Sequence, residues 1–386
     1  MLPQSTYNKP ATLSTNTLII IKICGMACGS KELVMVFLVL AMATTLSLGQ
    51  FGFPPIPGLP HTPSGAPHSP PGAPTAPIIP FLKPPKGTRI GYYSQSCPRV
   101  ESVVKATIKK HVDKDKTIAP GLLRLVFHDC FVNGCDASIL LEGPDTEKKA
   151  GINALLRGYE VIDDVKAEVE KVCPGVVSCA DILALAARDS TVEAGAMTYA
   201  VPTGRKDGRV SKASDCSNLP SYMDSVDVLK KKFSDKGLDT QDLVTLSGGH
   251  TVGSVTCQVI TYRLYNYTAS GGADPSIDPV FLKTLRALCP FNGDGWRHIP
   301  LDYGSEFKFD HSFFTNVKQA RGVLESDQRL WEDSSTQDIV QQYIGARGMH
   351  GFALNVQFGR AMYKMTNIGL KTEEEGEIRK VCTKIN

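Results

Sequence analysis

Neither sign of charge dominates this sequence: 42 Lys and Arg against 39 Asp and Glu leave a formal charge of +3 over 386 residues. A nucleic-acid-binding surface needs a basic excess that is missing here. The chain also lacks an apolar run of about 20 residues, the length that crosses a bilayer. Its best candidate, residues 33–48, is shorter. Strand-type alternation of apolar and polar residues is nearly absent, and there is no internal repeat. Hydrophobic residues at 42% and charged residues at 21% exclude both wholesale disorder and a multi-span membrane protein. What remains is a globular chain long enough for one large or two modest domains.

Proline and cysteine are in excess. Thirteen of the 25 prolines fall in residues 51–85. Each removes a backbone donor and fixes φ, so neither helix nor sheet propagates there, and few aliphatic side chains are present to bury. Residues 50–89 read as an extended, partly polyproline-II tether, at most on the order of 110 Å long. A passive spacer is the plainer interpretation of the same composition. Eleven cysteines are many for a cytosolic enzyme of this size and point to an oxidising compartment.

The N-terminus agrees. Residues 33–48, uncharged and mostly apolar behind Lys31, fit the core of a secretory signal peptide, and Ser47 and Gly49 supply small side chains for a cut before Gln50. An uncleaved anchor is the rival. Met26 would start a signal of ordinary length. The expected division is therefore an N-terminal extension and signal peptide at 1–49, a Pro-rich tether at 50–89, and a folded domain at 90–386 that keeps no membrane attachment after cleavage.

The folded part has helical periodicity almost throughout. Thr117 is an expected N-cap, with Pro120 in the tolerated first turn and Leu122, Leu123, Val126 and Phe127 behind it. Tyr159, Ile162, Val165, Val169 and Val172 keep a 3–4 spacing up to Pro174-Gly175. Ser178 is placed to cap the next helix. Val228, Leu229 and Phe233 lead to a stop at Gly237, Asp239 or Thr240 restarts, and residues 352–363 give a late helix. A short ribbon is expected within residues 199–210. The class is mainly α.

Two segments concentrate the chemistry. In the first, Arg124 and His128 stand four apart on an apolar helix and share one face, followed by Asp129, Cys130, Cys135, Asp136 and Ser138. An Arg beside a His in apolar surroundings is costly unless an anion or a reaction uses them. A structural Arg held by a carboxylate, with His128 as a core residue, accounts for the same pattern. In the second, a helix after Asp242 runs into Gly248-Gly249-His250-Thr251, where two glycines admit close approach of something flat and large. A lone His there is more often structural than a ligand.

Together the two segments resemble the distal and proximal signatures of secreted plant haem peroxidases (class III). The resemblance covers residues 90–386. It includes Tyr92-Tyr93 with Cys97-Pro98, Thr146-Glu147-Lys148, Arg157-Gly158-Tyr159-Glu160, Val177-Ser178-Cys179-Ala180-Asp181 and Gly204-Arg205. It continues through Asn218-Leu219-Pro220, Leu288-Cys289-Pro290 and Ser326-Asp327-Gln328. It implies the haem-peroxidase fold, with two helical subdomains sandwiching one haem b and minimal β. By this resemblance His250 is the axial ligand of the haem iron and Asp327 its partner. His128 moves the peroxide proton, Arg124 stabilises developing charge, Asn153 hydrogen-bonds His128, and Pro220 marks donor access.

The implied activity reduces hydrogen peroxide while oxidising small phenolic donors by one-electron steps, with roles in cell-wall cross-linking, lignification and oxidative stress. The resemblance further implies a secreted monomer of the cell wall and apoplast rather than the vacuole. The Pro-rich tether departs from the family pattern, and wall polymers are its expected partners. A different class of function, a weakly active structural or scavenging protein working through its tether, competes with this.

Asp129, Val132, Gly134, Asp136 and Ser138 bring the carboxylates, carbonyls and hydroxyl that suit Ca²⁺, although alone they read as a turn cluster. The resemblance makes them, with Glu147 through water, one of two calcium sites. Thr251, Asp302, Ser305, the Lys308 carbonyl and Asp310 form the second. Sequence alone leaves the disulfide pairing open. The resemblance selects Cys97–Cys173, Cys130–Cys135, Cys179–Cys382 and Cys257–Cys289. A zinc site at Cys130 and Cys135 is the rival, against which the surrounding oxygens speak. Cys216 is left over, an expected free thiol near the haem entrance with reach to another molecule. Leu301 stands where the family often has an aromatic residue, and Asn266-Tyr267-Thr268 is an N-glycosylation sequon.

Overall fold

Val100, Val104, Ile108 and Val112 recur at every fourth position and form the buried side of α1 (Val100–Lys114). The computed structural model in which this is seen describes residues 87–344 and 349–386. The signal peptide and nearly all of the tether expected from sequence lie outside the described residues.

Three further helices pack with α1 in the larger core, which later helices also enter. They are α2 (Ile118–Val132), α3 (Tyr159–Val172) and α4 (Cys179–Glu193). α4 is buried on every side from Cys179 to Thr191, as a helix must be when others surround it. It packs against α1, α2 and α3. Ser178 caps it as expected, accepting the Asp181 N–H at 3.1 Å. Asp181 in turn is buried against Arg205 Nη1 at 2.8 Å and Tyr93 OH at 2.7 Å, so the charge is paired and hydrogen-bonded.

The remaining helices are α5 (Val226–Ser234), α6 (Thr240–Ser247), α7 (Cys257–Tyr265), α8 (Pro279–Leu288), α9 (Ser312–Lys318), α10 (Glu325–Glu332), α11 (Ser334–Gln342) and α12 (Met349–Met365). Asp239 starts α6 with a reciprocal capping box to Asp242. A second, smaller apolar core gathers Ile260, Leu264, Phe281, Leu285 and Ile299 from α7, α8 and a two-stranded ribbon. In that ribbon β1 (Ser254–Thr256) pairs antiparallel with β2 (His298–Pro300), with Val255 opposite Ile299. The fold is mainly α with two apolar cores. No helix among the described residues is long and apolar enough to cross a membrane.

Three local expectations are corrected. Thr117 does not cap α2. Its hydroxyl and its N–H both turn back to Asp115 Oδ1, at 2.6 and 2.9 Å. Val228 is 42% exposed, so only Leu229 and Phe233 of that trio enter the core. Residues 199–210 form no ribbon of their own. Thr203 bridges to Arg89 and Asp207 to Glu377, while the Asp207 carboxylate accepts the Cys179 and Ala180 N–H groups at the start of α4.

The four disulfides join Cys97–Cys173, Cys130–Cys135, Cys179–Cys382 and Cys257–Cys289, the pairing that the resemblance implies.

Candidate active site

α2 places Arg124 and His128 one turn apart. Arg124 Nε–H donates to His128 Nε2 at 3.2 Å, and Arg124 Nη2 reaches the Ile152 carbonyl at 3.5 Å. On the other side of the ring, His128 Nδ1–H donates to Asn153 Oδ1 at 2.7 Å. The imidazole is therefore neutral, with its proton on Nδ1 and its lone pair on Nε2. Burial pushes its pKa down to about 3, the Arg124 charge adds to this, and the Asn153 hydrogen bond acts against both. Burial also lowers the Arg124 guanidinium, although that side chain keeps open surface.

Asn153 is buried and shares its amide further. Its Nδ2 donates to the Glu147 carbonyl at 2.8 Å and to Cys216 Sγ at 3.5 Å. Sequence reading had assigned Glu147 to calcium alone. Its backbone carbonyl also fixes the partner of His128, a contact that no side-chain pattern announces.

His250 lies on the single 3₁₀ turn Gly248–Thr251 that follows α6. Its Nδ1–H donates to Asp327 Oδ1 at 2.9 Å, from the first turn of α10. Burial lowers the His250 pKa, but the Asp327 charge and hydrogen bond outweigh it, and the net direction is upward. The His250 side chain is 41% open and its Nε2 makes no hydrogen bond among the described residues. Asp327 is buried, and its Oδ2 has no partner.

The two segments converge. A Cβ on Gly249 would stand 3.2 Å from Leu123 Cδ2, one on Gly253 2.8 Å from Pro120 Cβ, and one on Gly248 2.9 Å from Phe314 Cζ. The Arg124 charge is felt at His250. An imidazole anchored through Nδ1 by a buried carboxylate, with Nε2 free among the described residues, has the donor chemistry of a haem axial ligand. The residues present fit the group.

Of the residues expected at the first calcium site, Asp129, Asp136 and Glu147 lie close enough for their charges to act on one another. Among the described residues Ser138 Oγ and both carboxylate oxygens of Glu147 are buried and make no well-formed hydrogen bond, although the Ser138 hydroxyl lies near enough to Glu147 to lower its pKa. Burial pushes Glu147 up to about 8. Asp129 is raised well above the usual carboxylate range, by burial first and then by the charges of Asp136 and Glu147. Asp129 accepts the Ala137 and Ile139 N–H groups, and Asp136 the Ser138 N–H. The Val132 carbonyl takes Lys236 Nζ at 2.8 Å and the Gly134 carbonyl takes the Asp136 N–H at 2.9 Å, each keeping a second lone pair.

In the second cluster Thr251 Oγ1 lies 2.8 Å from Asp302 Oδ2 and 3.4 Å from the Lys308 carbonyl, and Ser305 Oγ lies 2.9 Å from Asp310 Oδ2. Ser312 and Asn316, which sequence reading missed, hydrogen-bond Asp302 as well. Among the described residues no group of three or more His, Cys, Asp and Glu side chains is arranged to hold a metal unaided. Hydroxyl and carbonyl oxygens are needed in both clusters.

Pro220 is half-buried just beyond the short 3₁₀ turn Ala213–Asn218 that carries Cys216. Leu301 packs against the smaller core, and Asn266 of the sequon is exposed at the end of α7. Cys216 is unpaired and only 2% exposed, so the expected coupling to another molecule has no access to the sulfur. Burial, with the Glu147 charge behind it, pushes this thiol up to about 11. A cavity of about 670 Å³, lined by Gly134, Lys236, Tyr363, Lys364 and Asn367 among others, holds neither His128 nor His250.

Residues 103–346 match the Peroxidase family. Peroxidase N1 of Nicotiana tabacum is 58% identical over 301 residues, 78% of this chain and 91% of that protein. Peroxidase 25 of Arabidopsis thaliana is 58% identical over 297 residues, 77% of this chain and 90% of the relative. Peroxidase 62 of Arabidopsis thaliana is 52% identical over 302 residues, 78% and 93% of the two chains. Agreement at that level along nine-tenths or more of each relative makes the chain a member of the peroxidase family, a plant class III peroxidase that acts on hydrogen peroxide.

Proposed function

We propose that Arg124, His128 and Asn153 form the peroxide-cleaving site of this enzyme, and that His250, braced by Asp327, holds one haem b opposite them. The observation that carries the reading is the pair of anchored imidazoles on converging segments, one with Nε2 paired to a guanidinium and the other with Nε2 free. Plant class III peroxidases bind haem and calcium. When bound, the haem supplies an iron and ring that take two oxidising equivalents from hydrogen peroxide and return them one at a time.

The protein's own groups do the rest. His128 Nε2 accepts one proton of hydrogen peroxide and returns it to the departing oxygen, help typically worth about 10²–10⁴-fold. Arg124 stabilises the negative charge that gathers on that oxygen. Asn153 keeps the proton on His128 Nδ1 and so leaves Nε2 basic. Two phenolic donors, admitted beside Pro220, are each oxidised by one electron, so that two phenols and one hydrogen peroxide give two phenolic radicals and two waters.

The two oxygen clusters would each hold one Ca²⁺, a hard cation that suits orphaned carboxylates and hydroxyls. Residues 90–386 are the catalytic domain, behind a tether at 50–89 and a signal segment within 1–49. The enzyme is a secreted monomer of the apoplast that cross-links wall phenolics, with the tether contacting wall polymers. An absorption spectrum of the purified protein before and after hydrogen peroxide, with guaiacol as donor, tests the core of this reading. A Soret band that shifts on peroxide and returns with guaiacol is expected. A protein without that band, or one inert to peroxide, overturns it.

A further inference from the structure

The buried Asn153 amide has one acceptor and two N–H donors to satisfy. Its acceptor is spent on His128 Nδ1 at 2.7 Å, one N–H on the Glu147 carbonyl at 2.8 Å, and the other on Cys216 Sγ at 3.5 Å. The sulfur is a weak acceptor, but it is the second N–H group's partner among the described residues. Both acceptors sit on a tied frame. The Glu147 N–H donates to Ser211 Oγ at 3.0 Å, and the Ala213 N–H to the Asp145 carbonyl at 3.0 Å. Thiol and carbonyl are therefore held at a fixed spacing about the amide.

With an apolar group in place of the sulfur, one N–H would be buried unpaired. The amide could relieve this only by turning, and turning withdraws Oδ1 from His128. We propose that Cys216 is a positioning residue for the peroxide step, its sulfur closing the third hydrogen bond that pins Asn153 Oδ1 against His128 Nδ1. The inference depends on the reading of His128 as the group that moves the peroxide proton. The sulfur acts as a neutral, enclosed acceptor and takes no part in bond making.

The test compares haem-loaded wild type with Cys216→Ser, Cys216→Val and Cys216→Ala. Serine keeps an acceptor, whereas valine and alanine remove it. If Cys216 only fills space, thermal midpoints and peroxide rates both follow apolarity, with valine and alanine at or above serine. Positioning separates the two orders. The rate constant for reaction with hydrogen peroxide is expected within about twofold of wild type for serine and about 3- to 10-fold lower for valine and alanine. The donor-limited rate stays unmoved.

A readout independent of turnover is the Asn153 side-chain amide in a nitrogen-edited NMR spectrum. One of its protons should shift and exchange faster with solvent in the valine and alanine variants but not in serine. Wild-type peroxide rates in valine and alanine, or rates that track the thermal midpoints, overturn the proposal. If the valine variant does not fold, alanine decides. His128→Leu run alongside separates the two readings. A collapsed peroxide rate there with intact valine and alanine variants removes the role of Cys216 alone, whereas an unchanged His128→Leu removes the reading of His128 itself.

Discussion

Asp327 Oδ1 accepts the His250 Nδ1–H at 2.9 Å, while the other oxygen of the same buried carboxylate has no hydrogen-bond partner among the described residues. The carboxylate is thus committed to one ring, and its charge and hydrogen bond together outweigh the effect of burial on that ring's pKa. A partner placed in this way orients a metal-binding imidazole and raises its basicity.

Replacing Asp327 by Asn keeps the shape and removes the charge. The variant should retain haem, react with hydrogen peroxide about 10–100-fold more slowly, and show a more positive reduction potential in a redox titration. An unmoved potential would mean that Asp327 does not tune the ligand. His250→Ala should instead lose or loosen haem, read from the Soret band after gel filtration.

On the opposite side, Arg124→Leu and His128→Leu remove the two groups that meet at 3.2 Å. Each should leave haem binding intact and slow the peroxide step by about 10²–10⁴-fold. Stopped-flow mixing with hydrogen peroxide reads this directly. Because the pair acts as a unit, the double variant should lose much less than the product of the single losses.

The site residues were named by the family resemblance, and short-range rules account for only part of their placement. Arg124 and His128 share a face by helical spacing, Ser178 caps α4, and Gly248-Gly249 precede a histidine at a helix end. What escaped depends on competing partners that spacing does not reveal, most of them distant in sequence. Thr117 looked like a cap but Asp115 outcompetes the helix for its hydroxyl. Residues 199–210 spend their backbone and carboxylate on Arg89, Glu377 and the start of α4 instead of on each other. β1 and β2 are three residues each, too short for alternation to show, and lie 42 positions apart in register from Thr256 to His298. The Asn153–Cys216 contact joins residues 63 positions apart, and no local pattern reports it.

The His128 ring sets a pH dependence of definite sign. Its pKa is held at about 3, below the ordinary 6.5 that the unfolded chain would show. In the native state the base therefore stays neutral down to about pH 3, so this group should not limit the peroxide step between pH 7 and 4. The unfolded chain, by contrast, takes up a proton below about pH 6.5 that the native ring refuses, and stability falls as pH drops through that window. Thermal scans of wild type and His128→Leu at several pH values isolate the effect. The wild type should lose ground relative to the variant between pH 6.5 and 3, and a constant gap would show that the ring does not carry this proton linkage.

The calcium loop should respond to chelation in the opposite pH direction. Glu147 is raised to about 8 from an ordinary 4.5, first by burial, and Asp129 is raised by burial and by its neighbours Asp136 and Glu147. Without a cation these carboxylates are costly to ionise. The contribution of these carboxylates to the stability of chelator-treated protein is then largest at low pH and is lost as pH rises from about 4.5 towards 8, because the unfolded chain gives up those protons first. A bound Ca²⁺ requires the ionised forms and repays their desolvation, so its affinity and its stabilising effect both grow with pH over the same interval. Thermal midpoints measured with excess chelator and with millimolar Ca²⁺ should therefore diverge steadily from pH 5 to pH 8. Glu147→Gln should shrink the divergence, because it removes one of the buried charges that only the ion makes tolerable. The same variant keeps the backbone carbonyl that Asn153 uses, so the peroxide rate in Ca²⁺ should stay near that of wild type while the calcium dependence of the thermal midpoint falls. A midpoint that ignores chelator across this pH range would leave the orphaned oxygens of Ser138 and Glu147 without the cation assigned to them.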